Sequence, residues 1–113
     1  MVIYQGDQYS IPFYVKMGEE SITPENSKDV VIALGDNAKG YAEGKLVFLD
    51  GSYLYKLTAE ETLLLDDDVS CQVQVFIGKD VLHSKPFTVK IKEIKEVLKT
   101  RLKDGISSNR SHN

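Results

Sequence analysis

The sequence predicts an all-β protein, an antiparallel β-sandwich of about seven strands with two short helical additions. Three observations carry that prediction. Apolar and polar residues alternate in several runs, most plainly where Val69, Cys71, Val73, Val75 and Ile77 stand two positions apart. The dipeptide Asp50-Gly51 divides "KLVFL" from "SYLYKL", two apolar runs joined by residues that tolerate the positive φ of a two-residue hairpin. Helical period appears in only two places, a corner after Leu57 and a segment near the C-terminal end.

Taken in order, "VIY" at 2–4 reads as a short partner strand and "QGD" as a break. In "YSIPFYVKM", Ile11, Phe13, Val15 and Met17 form an inward set, and Pro12, outward and without a donor, places the strand at an edge or near a bulge. "GEESITPENSKD" carries the residues of a loop. "DVVIALGD" is apolar on both faces, as a central strand is. "NAKGYAEG" reads as a second loop, followed by the Asp50-Gly51 hairpin. Thr58 and Glu61 have the spacing of a capping box, so about two turns of helix are expected near 59–64. That helix fills a crossover between the two sheets, with Leu63 to Leu65 closing the end of the core. After the Val69 strand, "GKD" turns the chain into "VLHSKPFTVKI", where Phe87, Val89 and Ile91 resume the inward set.

These signals divide the chain into a β domain over 1–91, an amphipathic helix over 92–105 and a polar tail, 106–113, expected to be disordered. Ile94, Val97, Leu98 and Leu102 share one helical stripe, and Gly105 stands where a C-cap belongs. A helix this short needs a cover for that stripe, either its own domain or another subunit. The four residues are therefore the candidate partner contact.

The chain of 113 residues is of single-domain length, and its 42% hydrophobic and 27% charged content is that of a globular protein. The formal charge of −3 is uneven: residues 1–89 carry 7 Lys or Arg against 14 Asp or Glu, and residues 90–113 carry 7 against 3. Glu93, Glu96 and Asp104 interrupt the basic end, which fits a solvated helix face better than a nucleic-acid arm. No apolar run is long enough to cross a bilayer, and the N-terminal residues have no signal-peptide pattern, so cytoplasmic synthesis is expected.

The motifs that carry chemistry read more weakly than the strands. Cys71 is the single cysteine and falls in the inward set, as a buried inert thiol does. Asp66, Asp67 and Asp68 are consecutive, without the spaced, glycine-turned arrangement that wraps Ca²⁺, and read as a solvated turn. His83 and His112 form no triad, and the glycines at 35, 40 and 44 lack the remainder of a phosphate loop. Six tyrosines without tryptophan suit a sheet face that meets another protein, or else reflect ordinary strand preference. Neither enzymatic activity nor a cofactor is expected.

Over about residues 3–91 the succession "YQGDQYSIPFYV", "ITPENSKDVVIALGD", "GKLVFLDGSYLYKLTAEETLLL" and "VQVFIGKDVLHSKPFTVKI" resembles small virion proteins of phages and prophages of Gram-positive bacteria. It is similar also to the immunoglobulin-like N-terminal domain of phage upper baseplate proteins. The resemblance implies an immunoglobulin-like sandwich, a structural role in tail, baseplate or capsid, and partners among other virion or assembly proteins. It also implies a virion location after synthesis in the host cytoplasm, with homo-oligomers through the C-terminal helix as a further expectation. The alternative is a small binding module, carbohydrate-binding or adhesion-type, against which the absence of Trp counts.

Overall fold

Period two becomes strand along much of the chain: 49% of the residues with described side chains are in strands, about twice the share usual in globular proteins, so the protein is all-β. A computed structural model describes residues 2–65 and 67–111, with backbone alone for 105–111. The strands are β1 (Val2–Tyr4), β2 (Tyr9–Phe13), β3 (Lys16–Met17), β4 (Glu20–Ser21), β5 (Asp29–Leu34) and β6 (Asn37–Gly40). They continue with β7 (Val47–Leu49), β8 (Ser52–Leu57), β9 (Val69–Ile77), β10 (Asp80–His83) and β11 (Phe87–Lys92). The helices are α1 (Ala59–Leu63) and α2 (Glu96–Ser111). The chain forms two units, one of Met1–Tyr9, Leu57–Val69 and Val89–Asn113, the other of Ser10–Lys56 and Ser70–Thr88.

In the second unit β5 lies between β6 and β9, the central place its apolar faces predict, with β10 also paired to β9. Val30, Ile32 and Leu34 are buried from one face of β5, and Cys71, Val73 and Val75 from the same face of β9. Strand β6 falls where a loop was expected. Gly35, at φ 60°, begins a two-residue turn that returns Asn37–Gly40 along β5. Ladder hydrogen bonds come from the backbone, so an edge strand forms there without an apolar pattern.

The remaining strands of this unit are ordered β2-β8-β7, with a separate β3–β4 hairpin. Asp50 and Gly51 join β7 to β8 at φ of 51° and 81°, in the register Leu49↔Ser52 that the sequence predicts. Pro12 sits on an edge strand, also as predicted. The long alternation from Tyr9 to Met17 does not persist, however: β2 ends at Phe13, and β3 turns back at Gly18 to pair with β4. Ile11 and Phe13 are buried, whereas Met17 is exposed. The tyrosines do not make one contact face either. Tyr53 and Tyr55 are fully buried, Tyr53 packed edge-on against Phe48 and Tyr41, and Tyr55 donating its hydroxyl to the Asn37 carbonyl at 3.0 Å.

In the first unit β1 pairs in parallel with β11, Ile3 opposite Ile91, so the β structure is mixed rather than purely antiparallel. The two strands lie near opposite ends of the chain, so no tight turn dictates their direction. Gln5 extends this edge: its amide N–H donates to the Lys92 carbonyl at 2.9 Å, and its side-chain Nε2 to the Leu65 carbonyl at 2.7 Å. Helix α1 has the predicted capping box, with Glu61 N–H donating to Thr58 Oγ1 at 3.1 Å and Thr58 N–H to Glu61 Oε1 at 3.0 Å.

Of the three leucines expected to close the core, Leu63 and Leu65 are half-buried and Leu64 is 77% exposed. The fully buried residue beside them is Thr62, whose hydroxyl lies 2.8 Å from the Asp7 carbonyl. Phe87 is a second departure, partly exposed while Val89 and Ile91 are buried. Helix α2 starts later than residue 92, because Lys92 still belongs to β11 and accepts from Gln5. Its backbone runs through Gly105 to Ser111, across most of the segment expected as a disordered tail; His112 and Asn113 lie outside the described residues.

Candidate functional site: an apolar groove beside strand β10

The second unit has a groove of about 360 Å³ between the Phe13–Met17 stretch and β10. Phe13, Val73 and Val75 form its floor, while Tyr14, Met17, Leu82 and Phe87 reach solvent at its rim. The Phe13 and Phe87 rings meet tilted at 54°, 5.8 Å between ring centres, and Phe13 also meets Tyr55 edge-on at 6.3 Å, which ties the groove to the buried core. Tyr14, 68% exposed, sits where β2 has ended and β3 has not yet begun.

The polar groups along this groove are engaged in holding the chain. Ser84 Oγ accepts the Val73 N–H at 2.9 Å, and the Ser84 N–H donates to the Val73 carbonyl at 2.9 Å, so this serine staples the strand's end to β9. Gln72 Nε2 donates to the Ser84 carbonyl at 2.9 Å. His83 Nε2 lies 3.0 Å from Gln74 Nε2. A serine hydroxyl committed to the backbone beside an imidazole with an amide partner has neither the pairing nor the orienting group of a nucleophilic dyad. Among the described residues Lys16 is the one lysine lining the groove, and no carboxylate lines it.

Cys71 is buried in β9, and desolvation pushes its thiol above the ordinary value of 9.0, where the reactive thiolate is suppressed. Burial likewise raises Tyr53, partly offset by the Ser27 hydroxyl. Asp67 takes a left-handed φ of 52°, which fits a turn, and Asp66 lies outside the described residues. Among the described residues no group of three or more His, Cys, Asp or Glu is placed to hold a metal ion. In the glycine-rich loop, the Gly40 N–H donates to Glu43 Oε1 at 2.8 Å, so a carboxylate occupies an amide that a phosphate loop would present.

The four helix residues expected as a partner contact separate into two pairs. Leu102 packs directly over Gly6, where a β-carbon would collide with it, and Ile94 flanks the same glycine; both are half-buried. Gly6 holds φ of 83°, so it supplies both the left-handed turn and the space for Leu102. Val97 and Leu98 are exposed. The groove itself was not read from the sequence. Its signal was the adjacent pair Val81-Leu82, two apolar residues on opposite faces of a short edge strand, both of which reach solvent. No helix among the described residues is long and apolar enough to cross a membrane. The chain matches no protein-family model, no curated protein and no solved structure.

Proposed function

We propose that the chain is a structural protein of a phage or prophage virion, an immunoglobulin-like β-sandwich that works by protein–protein assembly in tail, baseplate or capsid. The observation that carries the assembly part is the open apolar groove, whose exposed Tyr14, Met17, Leu82 and Phe87 form the kind of patch that marks an interaction surface. The phage part rests on the sequence resemblance over residues 3–91. In this reading the protein is made in the host cytoplasm, ends in the virion, and has neither catalytic role nor cofactor. Exposed Val97 and Leu98 on α2 offer a second contact, for another copy or a virion neighbour.

A second reading, a carbohydrate-binding or adhesion module, is favoured by Tyr14 at the groove rim, an aromatic ring presented to solvent. Mass spectrometry of particles purified after prophage induction in the encoding strain separates the two. Peptides of this chain at a fixed ratio to the major particle proteins are expected. Their absence from intact particles would sink the virion reading.

A further inference from the structure

We infer that the groove receives an extended acidic segment of a partner protein, which adds to β10 as a further strand. The inference rests on the assembly reading only in needing a protein partner.

The alternation of hydrogen bonds identifies the free edge. Ser84 N–H bonds to the Val73 carbonyl, and β10 pairs with β9 as Leu82↔Val75 and Asp80↔Ile77. Antiparallel pairs alternate between bonded and non-bonded, so Ser84, Leu82 and Asp80 point their backbone groups at β9. The other side of β9 agrees: Phe76 there accepts the Lys28 N–H next to β5. The N–H and C=O groups of Val81 and His83 therefore point outward, and among the described strands β10 pairs with β9 alone. Unpaired strand groups of this kind are a template for another chain.

The groove beside that edge determines what kind of strand fits. Its floor of Phe13, Val73 and Val75 continues the buried core, so alternate side chains of an added strand enter apolar surroundings while the others face water. Lys16 lines the groove, with no carboxylate among its described lining residues, and Lys79 and Lys85 flank β10, which itself begins at Asp80. These cations stand on a body in which residues 1–89 carry 14 acidic side chains against 7 basic ones. An occupant with apolar residues at every second position and Asp or Glu between them matches both the floor and the rim.

A displayed library of random peptides about nine residues long, panned on the full chain, supplies the probe. Enriched peptides are expected to alternate apolar with polar residues and to carry Asp or Glu. A synthetic copy of one should slow hydrogen exchange of the Val81 and His83 amides about tenfold. Val81→Pro removes an outward donor while leaving the bonds to β9 intact, and should weaken binding about tenfold. Lys16→Glu, a surface change that leaves the strands in place, should shift selection from acidic to basic peptides. A library with no binder overturns the inference, as do binders that leave both amides exchanging at the free rate or that ignore Lys16→Glu. Particle incorporation is the separate reading. If Val81→Pro and wild type enter particles equally, the strand site falls and the assembly function stands; if neither enters although peptides bind, the assembly function falls alone.

Discussion

Asp50 and Gly51 show how much of the fold a pair of residues carries. Their φ of 51° and 81° lies in the left-handed region, where a β-carbon meets the following carbonyl. Asn, Asp and Gly tolerate that region, and the twist of a two-residue turn requires it. Replacing both by alanine is expected to destabilise the protein by about 1–3 kcal/mol. Urea denaturation measures this, and an unchanged midpoint would mean the turn contributes nothing to the register Leu49↔Ser52. Gly6 carries a different load. The sequence marks it only as a break between strands, because the chain that packs over it, at Leu102, lies far along the sequence. A local pattern reveals a glycine's conformation more readily than the space it leaves for a distant side chain.

Among the elements, α2 shows where periodicity stops being informative. The spacing of Ile94, Val97, Leu98 and Leu102 predicts a helix with one apolar stripe, and the helix is present from Glu96, with Ile94 in the connection before it. Period alone does not assign a cover to each residue, and the stripe divides: Ile94 and Leu102 serve Gly6, while Val97 and Leu98 stay exposed. The division gives unequal expectations for mutation. Leu102→Ser should lower the melting temperature, at a cost of about 1–2 kcal/mol for a half-buried leucine. Val97→Ser with Leu98→Ser should change stability by less than about 0.5 kcal/mol. Light scattering on the same variants reads assembly. If the full chain self-associates, the double variant should be the monomeric one. A monomeric Leu102→Ser beside an associated double variant would assign the contact to the wrong pair. Boundaries were less legible than helix existence. Lys92 looked helical by period, but its carbonyl accepts from Gln5, 87 positions earlier, and so stays in the sheet.

Across the whole molecule, strand class, the central place of β5, the Asp50-Gly51 hairpin and the capped corner were all legible, because each follows from neighbours in sequence. Strand β6, the parallel β1–β11 pair and the groove were not, since backbone pairing and the gathering of Tyr14 and Leu82 about one groove depend on contacts that no local pattern encodes. The buried titratable groups turn that global packing into a measurable property. Burial holds the Cys71 thiol above its ordinary 9.0 and the Tyr53 phenol above its ordinary 10.0. Well below pH 9 both groups are protonated whether the chain is folded or not, and folding is indifferent to pH on their account. As pH rises past 9, the unfolded thiol ionises while the folded one keeps its proton. The unfolded state then binds fewer protons, and stability falls with pH. Tyr53 adds a second fall that begins near 10. Stability measured by urea denaturation should therefore be level from neutral pH to about 9 as far as these groups act, then decline. Cys71→Ala should remove the earlier part of the decline and Tyr53→Phe the later part. Tyr53→Phe should itself cost little, because the Ser27 hydroxyl, the polar neighbour of the phenol, already donates to the Thr23 carbonyl and is not stranded by its loss. A decline of the same size in the double variant would place its origin outside these two side chains.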